Sequence, residues 1–209
     1  MTELHDRAVA VLSRDGRPAH RITITRDYPA PLSEVWDAIT DRERLSRWFA
    51  PVSGDLRLGG RYQIEGNAGG LIEACEPQRR IAVTWEFGGQ VSWVEVMITP
   101  LGERTQVQMH HAACDADLPP GFWDQYGPGA TGVGWDIWFM SLSLHLATPD
   151  RLRDPGFEAR WAPSPEGVAY VTASAEGWAA AAIAGGEDAA AMQATVPHLI
   201  AFYTGIPMA

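Results

Sequence analysis

Two adjacent histidines, His110 and His111, have the clearest chemical potential in this sequence. They end the segment 105–111, whose alternating pattern is typical of a half-buried β-strand. His111 shares the register of the apolar Val107 and Met109, so it should point inward and His110 outward. An inward imidazole could bind a carbonyl group or move a proton, and it could equally be a hydrogen-bonded structural residue. His111 is therefore the one candidate for acid–base catalysis.

Cys114 and Asp115 follow these histidines closely enough to suggest a metal site. Adjacent strand residues point to opposite faces, however, so His110 and His111 cannot both reach one ion without a bulge. No serine lies in a G-x-S-x-G setting, and no glycine loop matches the phosphate-binding or dinucleotide patterns. The sequence predicts no metal and no cofactor, and it argues against a hydrolase, kinase or dehydrogenase.

Composition excludes several classes of partner for this chain of 209 residues. Lys and Arg total 16 against 26 Asp and Glu, a net charge of -10, and no basic cluster is available to neutralise nucleic-acid phosphates. No apolar run approaches the roughly 20 residues that span a bilayer. Residues 1–12 hold only a short apolar run, unlike a secretory leader. We expect a soluble, cytoplasmic protein without nucleic-acid or membrane partners.

The elements that would position these residues follow from hydrophobic periodicity. A strand over 21–27 precedes a helix over 31–39 and a second short helix, capped by Asp41 and ending near Trp48. Turn residues then separate consecutive strands, as expected for antiparallel hairpins. These predicted strands cover 61–65, 71–76, 81–87, 91–99 and 105–111.

The apolar inner face of this sheet requires a cover. After a Gly/Pro-rich loop over 118–134, apolar residues recur at the i, i+3, i+4 spacing of a long amphipathic helix. This stripe consists of Trp135, Trp138, Phe139, Leu142 and Leu146. Ile137, Met140 and Leu144 make the other side of the helix apolar as well, so a further element should cover its back.

The alanine-rich tail, 151–209, is the candidate for that cover. It predicts helices over 174–184 and 187–203, with Pro197 expected to kink or split the second. Alanine-rich helices permit close packing, either on the main domain or against a second copy of the chain. A homodimer and a monomer with a packed extension both remain open.

Several short motifs in this order resemble those of one known superfamily. Trp48-Phe49-Ala50-Pro51 followed by Gly59-Gly60-Arg61-Tyr62 is similar to the W-F-x-P and G-G-x-aromatic signature of START-like/SRPBCC helix-grip proteins. The subgroup it resembles contains the activators of the ninety-kilodalton heat-shock chaperone ATPase. The strand ending in His111 and the Gly134-Trp135 pair also match, and the resemblance covers about residues 15–148.

The resemblance implies an α+β helix-grip fold, with an antiparallel curved sheet wrapped around a long C-terminal helix. It places the domain at 15–150 and leaves 151–209 as a helical extension packing on it. In such a fold a small apolar or amphipathic molecule would bind between sheet and helix, entering beside Trp48, Phe49 and a mobile loop around 127–134. The expected ligand-binding residues are Trp48, Phe49, Trp85, Val94, Val96, Met109, His111, Trp135, Trp138, Phe139 and Leu142.

Two other functions remain open besides ligand binding. A cyclase or lyase could use the same cavity with His111 as its acid–base, although no second polar group is predicted there. A chaperone cofactor is suggested by kinship alone, and a chaperone partner is the weakest expectation because the chain lacks the partner-binding N-terminal domain of true activators. The inward residues could also simply fill one another's space.

Overall fold

The computed structural model describes residues 6–152, 154 and 156–208. Over these residues it is an α+β structure of one curved antiparallel sheet and seven α-helices, which confirms the predicted helix-grip class. The start of the segment considered as a leader, residues 1–5, lies outside the described residues. The strands are β1 (Asp6–Arg14), β2 (Arg17–Tyr28), β3 (Val52–Gly54), β4 (Arg61–Ile64), β5 (Gly69–Glu76), β6 (Arg80–Phe87), β7 (Gln90–Leu101) and β8 (Arg104–Cys114). The helices are α1 (Leu32–Thr40), α2 (Arg42–Trp48), α3 (Phe122–Tyr126), α4 (Gly129–Ala147), α5 (Phe157–Trp161), α6 (Pro165–Ala184) and α7 (Ala189–Thr204).

The sheet has the strand order β1-β2-β8-β7-β6-β5-β4-β3, with every neighbouring pair antiparallel. Strands β4 to β8 form the predicted meander of hairpins, and β3 adds a short strand that was not predicted. Val94 lies opposite His111 and Val96 opposite Met109, so the inner face has the register that the alternation predicted. Asp41 caps α2, as predicted, by accepting a hydrogen bond from the Arg44 backbone N–H.

The sheet begins ahead of residue 15, the predicted start of the domain, because β1 forms a hairpin with β2. Asp15 and Gly16 both have positive φ, 52° and 76°, between the paired residues Arg14 and Arg17. Two successive residues in this region make the tight turn whose twist matches that of the flanking strands. The Asp15-Gly16 dipeptide is the sequence signal for this hairpin. The prediction did not use this signal, and strand β1 was therefore not predicted.

The predicted loop over 118–134 is largely helical, which corrects both its end and its proposed mobility. Helix α3 lies within it, and α4 already begins at Gly129. Gly132, in this early part of α4, packs directly on the indole of Trp178 in α6. A Cβ at Gly132 would lie 2.3 Å from a Trp178 ring carbon. The glycines here allow helices to approach closely, so this segment packs against α6 and α7.

The tail folds onto the back of α4. Helix α6 contacts α4 and β1, and α7 contacts α3, α4 and α6. Helix α6 starts at Pro165, well before the predicted residue 174, because Ser164 caps it by accepting a bond from the Gly167 N–H. Pro197 does not split α7, which runs through it. Among the described residues, no helix is long and apolar enough to cross a membrane.

A buried ion pair joins the tail and the sheet to α4. Asp136, fully buried in α4, accepts hydrogen bonds at Oδ2 from Arg7 Nη2 at 2.8 Å, Arg7 Nε at 3.1 Å and Trp178 Nε1 at 3.1 Å. Ser174 of α6 donates a further bond to the same oxygen, and Tyr170 donates to the Asp136 carbonyl. Burial raises the pKa of Asp136, while Arg7 and these donors favour its charged form.

Replacing Arg7 with Met should remove the only cation that contacts Asp136 among the described residues. An uncompensated buried carboxylate typically costs about 3–5 kcal/mol, so the urea midpoint should fall strongly at neutral pH. Arg17→Met is the matched control, because Arg17 pairs with Asp117 on the exposed surface and should change the unfolding free energy little. Equal midpoints for the two variants would contradict the central role of Asp136.

Candidate functional site

A partly open cavity of about 650 Å³ lies at one end of the sheet, against the side of α4 that faces away from Asp136. The end of α2, the β4–β5 hairpin and the ends of β6 and β8 form one wall. Helix α4 forms the opposite wall, and the segment after it, together with α5 and α7, completes the mouth. The space is of the size that small-molecule sites in proteins have.

Six of the eleven predicted ligand-binding residues line this cavity, and the other five do not. The lining members are Trp48, Phe49, Trp85, His111, Trp135 and Trp138. The remaining five do not line it and are buried or partly buried in the hydrophobic core. These are Val94, Val96, Met109, Phe139 and Leu142. The cavity therefore occupies only the end of the interface that the sequence assigned to the ligand.

Aromatic rings form a continuous wall along the cavity, centred on Trp138 of α4. Its ring centroid lies 5.0 Å from that of Trp48, 6.4 Å from Phe49 and 5.9 Å from Trp135, all in edge-to-face arrangements. Trp135 continues the wall to Trp85, at 5.2 Å. Such geometry stabilises the rings relative to one another and leaves a rigid apolar surface.

His111 is buried at the inner end of this wall and is fully hydrogen-bonded. The indole Nε1–H of Trp135 donates to His111 Nδ1 at 2.9 Å, and His111 Nε2 lies 2.8 Å from Ser92 Oγ. An indole nitrogen can only donate, so Nδ1 carries no proton and the neutral ring has its proton on Nε2, directed at Ser92. Burial lowers the pKa of His111 to about 4. Both ring nitrogens are thus engaged in holding Trp135 and Ser92.

His145, which sequence reasoning missed, lies near the outer end of α4 and also lines the cavity. Its Nε2 accepts hydrogen bonds from Arg44 Nε at 3.2 Å and Nη2 at 3.0 Å. Arg44 in turn donates to Glu34 Oε1 at 2.7 Å. The His145 ring lies against Trp48, with centroids 6.1 Å apart. Its position between Leu144 and Leu146, within the apolar run of α4, gave no pattern from which this role could be read.

The C-terminal extension supplies part of the cavity wall, which the sequence also did not indicate. Phe157, Trp161, Phe202 and Tyr203 all line it. The Tyr203 hydroxyl accepts from the Gly134 N–H at 3.1 Å and donates to the carbonyl of residue 130 at 2.7 Å. Burial raises the pKa of Tyr203, so this hydroxyl stays protonated. The sequence signal that could have indicated this contribution to the cavity wall is the presence of aromatic residues in an otherwise alanine-rich tail.

The candidate metal ligands of the sequence do not converge. His110 lies on the outer face of the sheet, where its ring contacts Gln108, and Asp115 is bound to His20 at 2.6 Å. In the part of the chain that the structure describes, no group of three or more His, Cys, Asp or Glu side chains could hold a metal ion.

The sheet gripping one long helix, with a cavity at one end, defines a START-like/SRPBCC helix-grip protein. The family model described as Activator of Hsp90 ATPase homolog 1-like protein matches residues 29–147, more than half of the chain. The chain therefore belongs to this family. Comparison with curated proteins gives no match.

Solved structures agree with this assignment. The crystal structure of CalU16 from Micromonospora echinospora is 30% identical, covers 86% of this chain and 98% of its own, and has a TM-score of 0.67. The solution structure of CalU16 gives 32% identity, 88% and 98% coverage and a TM-score of 0.71. An Hsp90 activator from Plasmodium falciparum is 20% identical, covers 61% of this chain and 96% of its own, and has a TM-score of 0.51, which shows a shared fold alone.

The buried state of His111 makes stability depend on pH. Its pKa of about 4 is below the ordinary 6.5, so the unfolded chain binds the proton more readily. Stability should be fully present above about pH 6.5 and fall toward pH 4, by about 3 kcal/mol from this residue. His111→Gln should show a shallower decline in urea titrations over that window. An unchanged slope would mean that His111 is more accessible than the structure places it.

Proposed function

We propose that this protein binds a small apolar or amphipathic molecule in the cavity between the sheet, α2 and α4. The observation that carries this proposal is the aromatic wall: Trp48, Trp85, Trp135 and Trp138 border open space of about 650 Å³ instead of filling it. Elsewhere the same interface is tightly packed, so folding alone does not require a gap here.

The rim of the cavity supports the same function. Five large apolar side chains with substantial exposure surround the mouth and come from separate elements of the fold. Phe87 is 58% exposed, Leu152 73% and Phe202 63%, and Leu144 and Phe157 are partly exposed as well. A contiguous apolar surface of this kind is a recurrent feature of ligand and partner sites, because covering it releases water.

Binding is favoured over catalysis by the hydrogen bonds of His111. A general acid or base must reach the substrate with a ring nitrogen, and both nitrogens of His111 are occupied by Trp135 and Ser92. Its low pKa also leaves it unable to act as an acid near neutral pH. The cyclase or lyase alternative therefore loses its proposed acid–base residue, and chaperone binding rests on family kinship only.

Calorimetric titration with a panel of acyl and aromatic compounds tests the proposal, together with native mass spectrometry for a co-purified molecule. A bound compound should lose about tenfold or more in affinity in Trp138→Ala, since the wall loses its central ring. Trp93→Ala is the matched control, because Trp93 lies on the outer sheet face under Arg14 and does not line the cavity.

Two results would contradict this function. One is the absence of saturable binding across the panel together with no co-purified molecule. The other is an equal loss of affinity in the Trp93 and Trp138 variants, which would place the ligand elsewhere.

A further inference from the structure

Ser141 of α4 has a hydroxyl group that makes no hydrogen bond within the described part of the chain. A serine or threonine inside a helix commonly donates to the carbonyl four residues earlier. Ser143 and Thr148, two and seven positions further along, do so: they donate to the carbonyls of Phe139 at 3.1 Å and Leu144 at 2.7 Å. The Ser141 hydroxyl makes no such bond and is therefore uncommitted.

The Ser141 hydroxyl can be reached from the cavity. Ser141 lines the cavity and is half-buried. It lies three residues after Trp138 and four before His145, so the three side chains share one face of α4. Its Oγ is accessible to solvent, unlike His145 Nδ1, which is unpaired but closed off. Of these two polar groups, only Ser141 can contact a ligand.

Two indole N–H groups of the aromatic wall are uncommitted as well. Trp48 donates to a backbone carbonyl and Trp135 to His111. Trp85 and Trp138 make no hydrogen bond to a nitrogen or oxygen atom of the described residues. Both line the cavity, are half-buried and have accessible Nε1 atoms. An indole nitrogen can only donate, so these groups require an acceptor.

The charged side chains that border the cavity do not favour an ion of either sign. Among the described lining residues, two are cationic and three are anionic. These are Arg47, Arg151, Glu65, Asp154 and Glu158. Only Arg47 is half-buried, and the other four are exposed, where water and salt screen their charges. The uncommitted groups of the half-buried wall are thus uncharged, and they are mainly hydrogen-bond donors.

We propose that the ligand is an uncharged apolar molecule with a carbonyl oxygen that accepts hydrogen bonds from Ser141 and Trp138. This inference rests on the proposed binding function and adds the chemical class of the ligand to it. A carbonyl oxygen has two lone pairs, so it can accept from both donors, which lie three residues apart on one helix face. Trp85 provides a further donor toward the inner end of the wall, where its ring lies 5.2 Å from that of Trp135.

Three matched probes test this class, each titrated calorimetrically into the intact protein at pH 7.5. The ketone 2-acetylnaphthalene and the hydrocarbon 2-ethylnaphthalene differ only in a carbonyl group against a methylene group. The third probe, 2-naphthoate, carries a charge on the same ring system. The ketone should bind at least about tenfold more tightly than 2-naphthoate, because a charge without a counter-ion is costly in an apolar cavity.

Variants of α4 assign the hydrogen bonds to their donors. Ser141→Ala should lower the ratio of ketone affinity to hydrocarbon affinity about fivefold, the effect of one neutral hydrogen bond. Trp138→Phe should lower this ratio similarly, while it weakens both probes. Ser143→Ala and Trp93→Phe are the matched controls, because neither residue lines the cavity. Both controls should leave the ratio unchanged.

The outcomes separate this inference from the function on which it rests. A ratio that is the same in Ser141→Ala as in the unaltered protein, or that falls equally in Ser143→Ala, would overturn the role of Ser141. Tighter binding of 2-naphthoate than of the ketone would overturn the uncharged class and leave ligand binding in place. If the ketone fails to bind while other compounds of the wider panel bind, the carbonyl class alone fails. If no compound binds, the proposed function fails with it.

Discussion

The carboxylate of Asp136, in the middle of α4, is the interaction on which the rest of the structure depends. A helix that is apolar on every side must be covered on every side, and apolar contacts alone specify poorly which element covers it. Asp136 makes the choice specific, since its Oδ2 requires Arg7 from β1 and the polar groups of Ser174 and Trp178 from α6. A buried charge is costly unless all of these partners are present, so the sheet edge and the extension are held to α4 together.

Because one side of α4 is held in place by its neighbours, the opposite side can border a cavity. Close packing of α6 on the back of the helix, at Gly132, holds α4 in place from the side opposite the cavity. Trp135 and Trp138 can then border open space while the fold stays stable, because their neighbours in the helix are already buried. A cavity costs the packing energy of the atoms that would have filled it, and the extension compensates for that cost elsewhere in the same helix. The extension thus supports the site as well as forming part of its wall.

The sequence allowed the meander, the inward register and the covering helix to be predicted, because each depends on a local period. It also located the inner aromatic residues, including Trp85 and Trp135, since an inward position is set by strand or helix register. The sequence could not distinguish the filled part of the interface between sheet and helix from the open part. Val94 and Phe139 were therefore grouped with residues that border the cavity. That distinction depends on how far apart sheet and helix lie at each point, and this distance is set by long-range contacts. The pairing of Arg7 with Asp136, 129 positions apart, is one of them.

The two histidines that line the cavity, His111 and His145, differ in how fully their ring nitrogens are hydrogen-bonded. His111 has a partner for each nitrogen and therefore no unmet requirement, which is the condition of a residue that holds its neighbours in position. His145 has one nitrogen satisfied twice by Arg44 and the other not at all. The other oxygen of Asp136, Oδ1, is buried without a partner in the same way, so an unpaired buried atom does not by itself mark a ligand contact. The histidine with the stronger sequence signal, His111, thus has a structural role, because its two hydrogen bonds hold Trp135 and Ser92 in position.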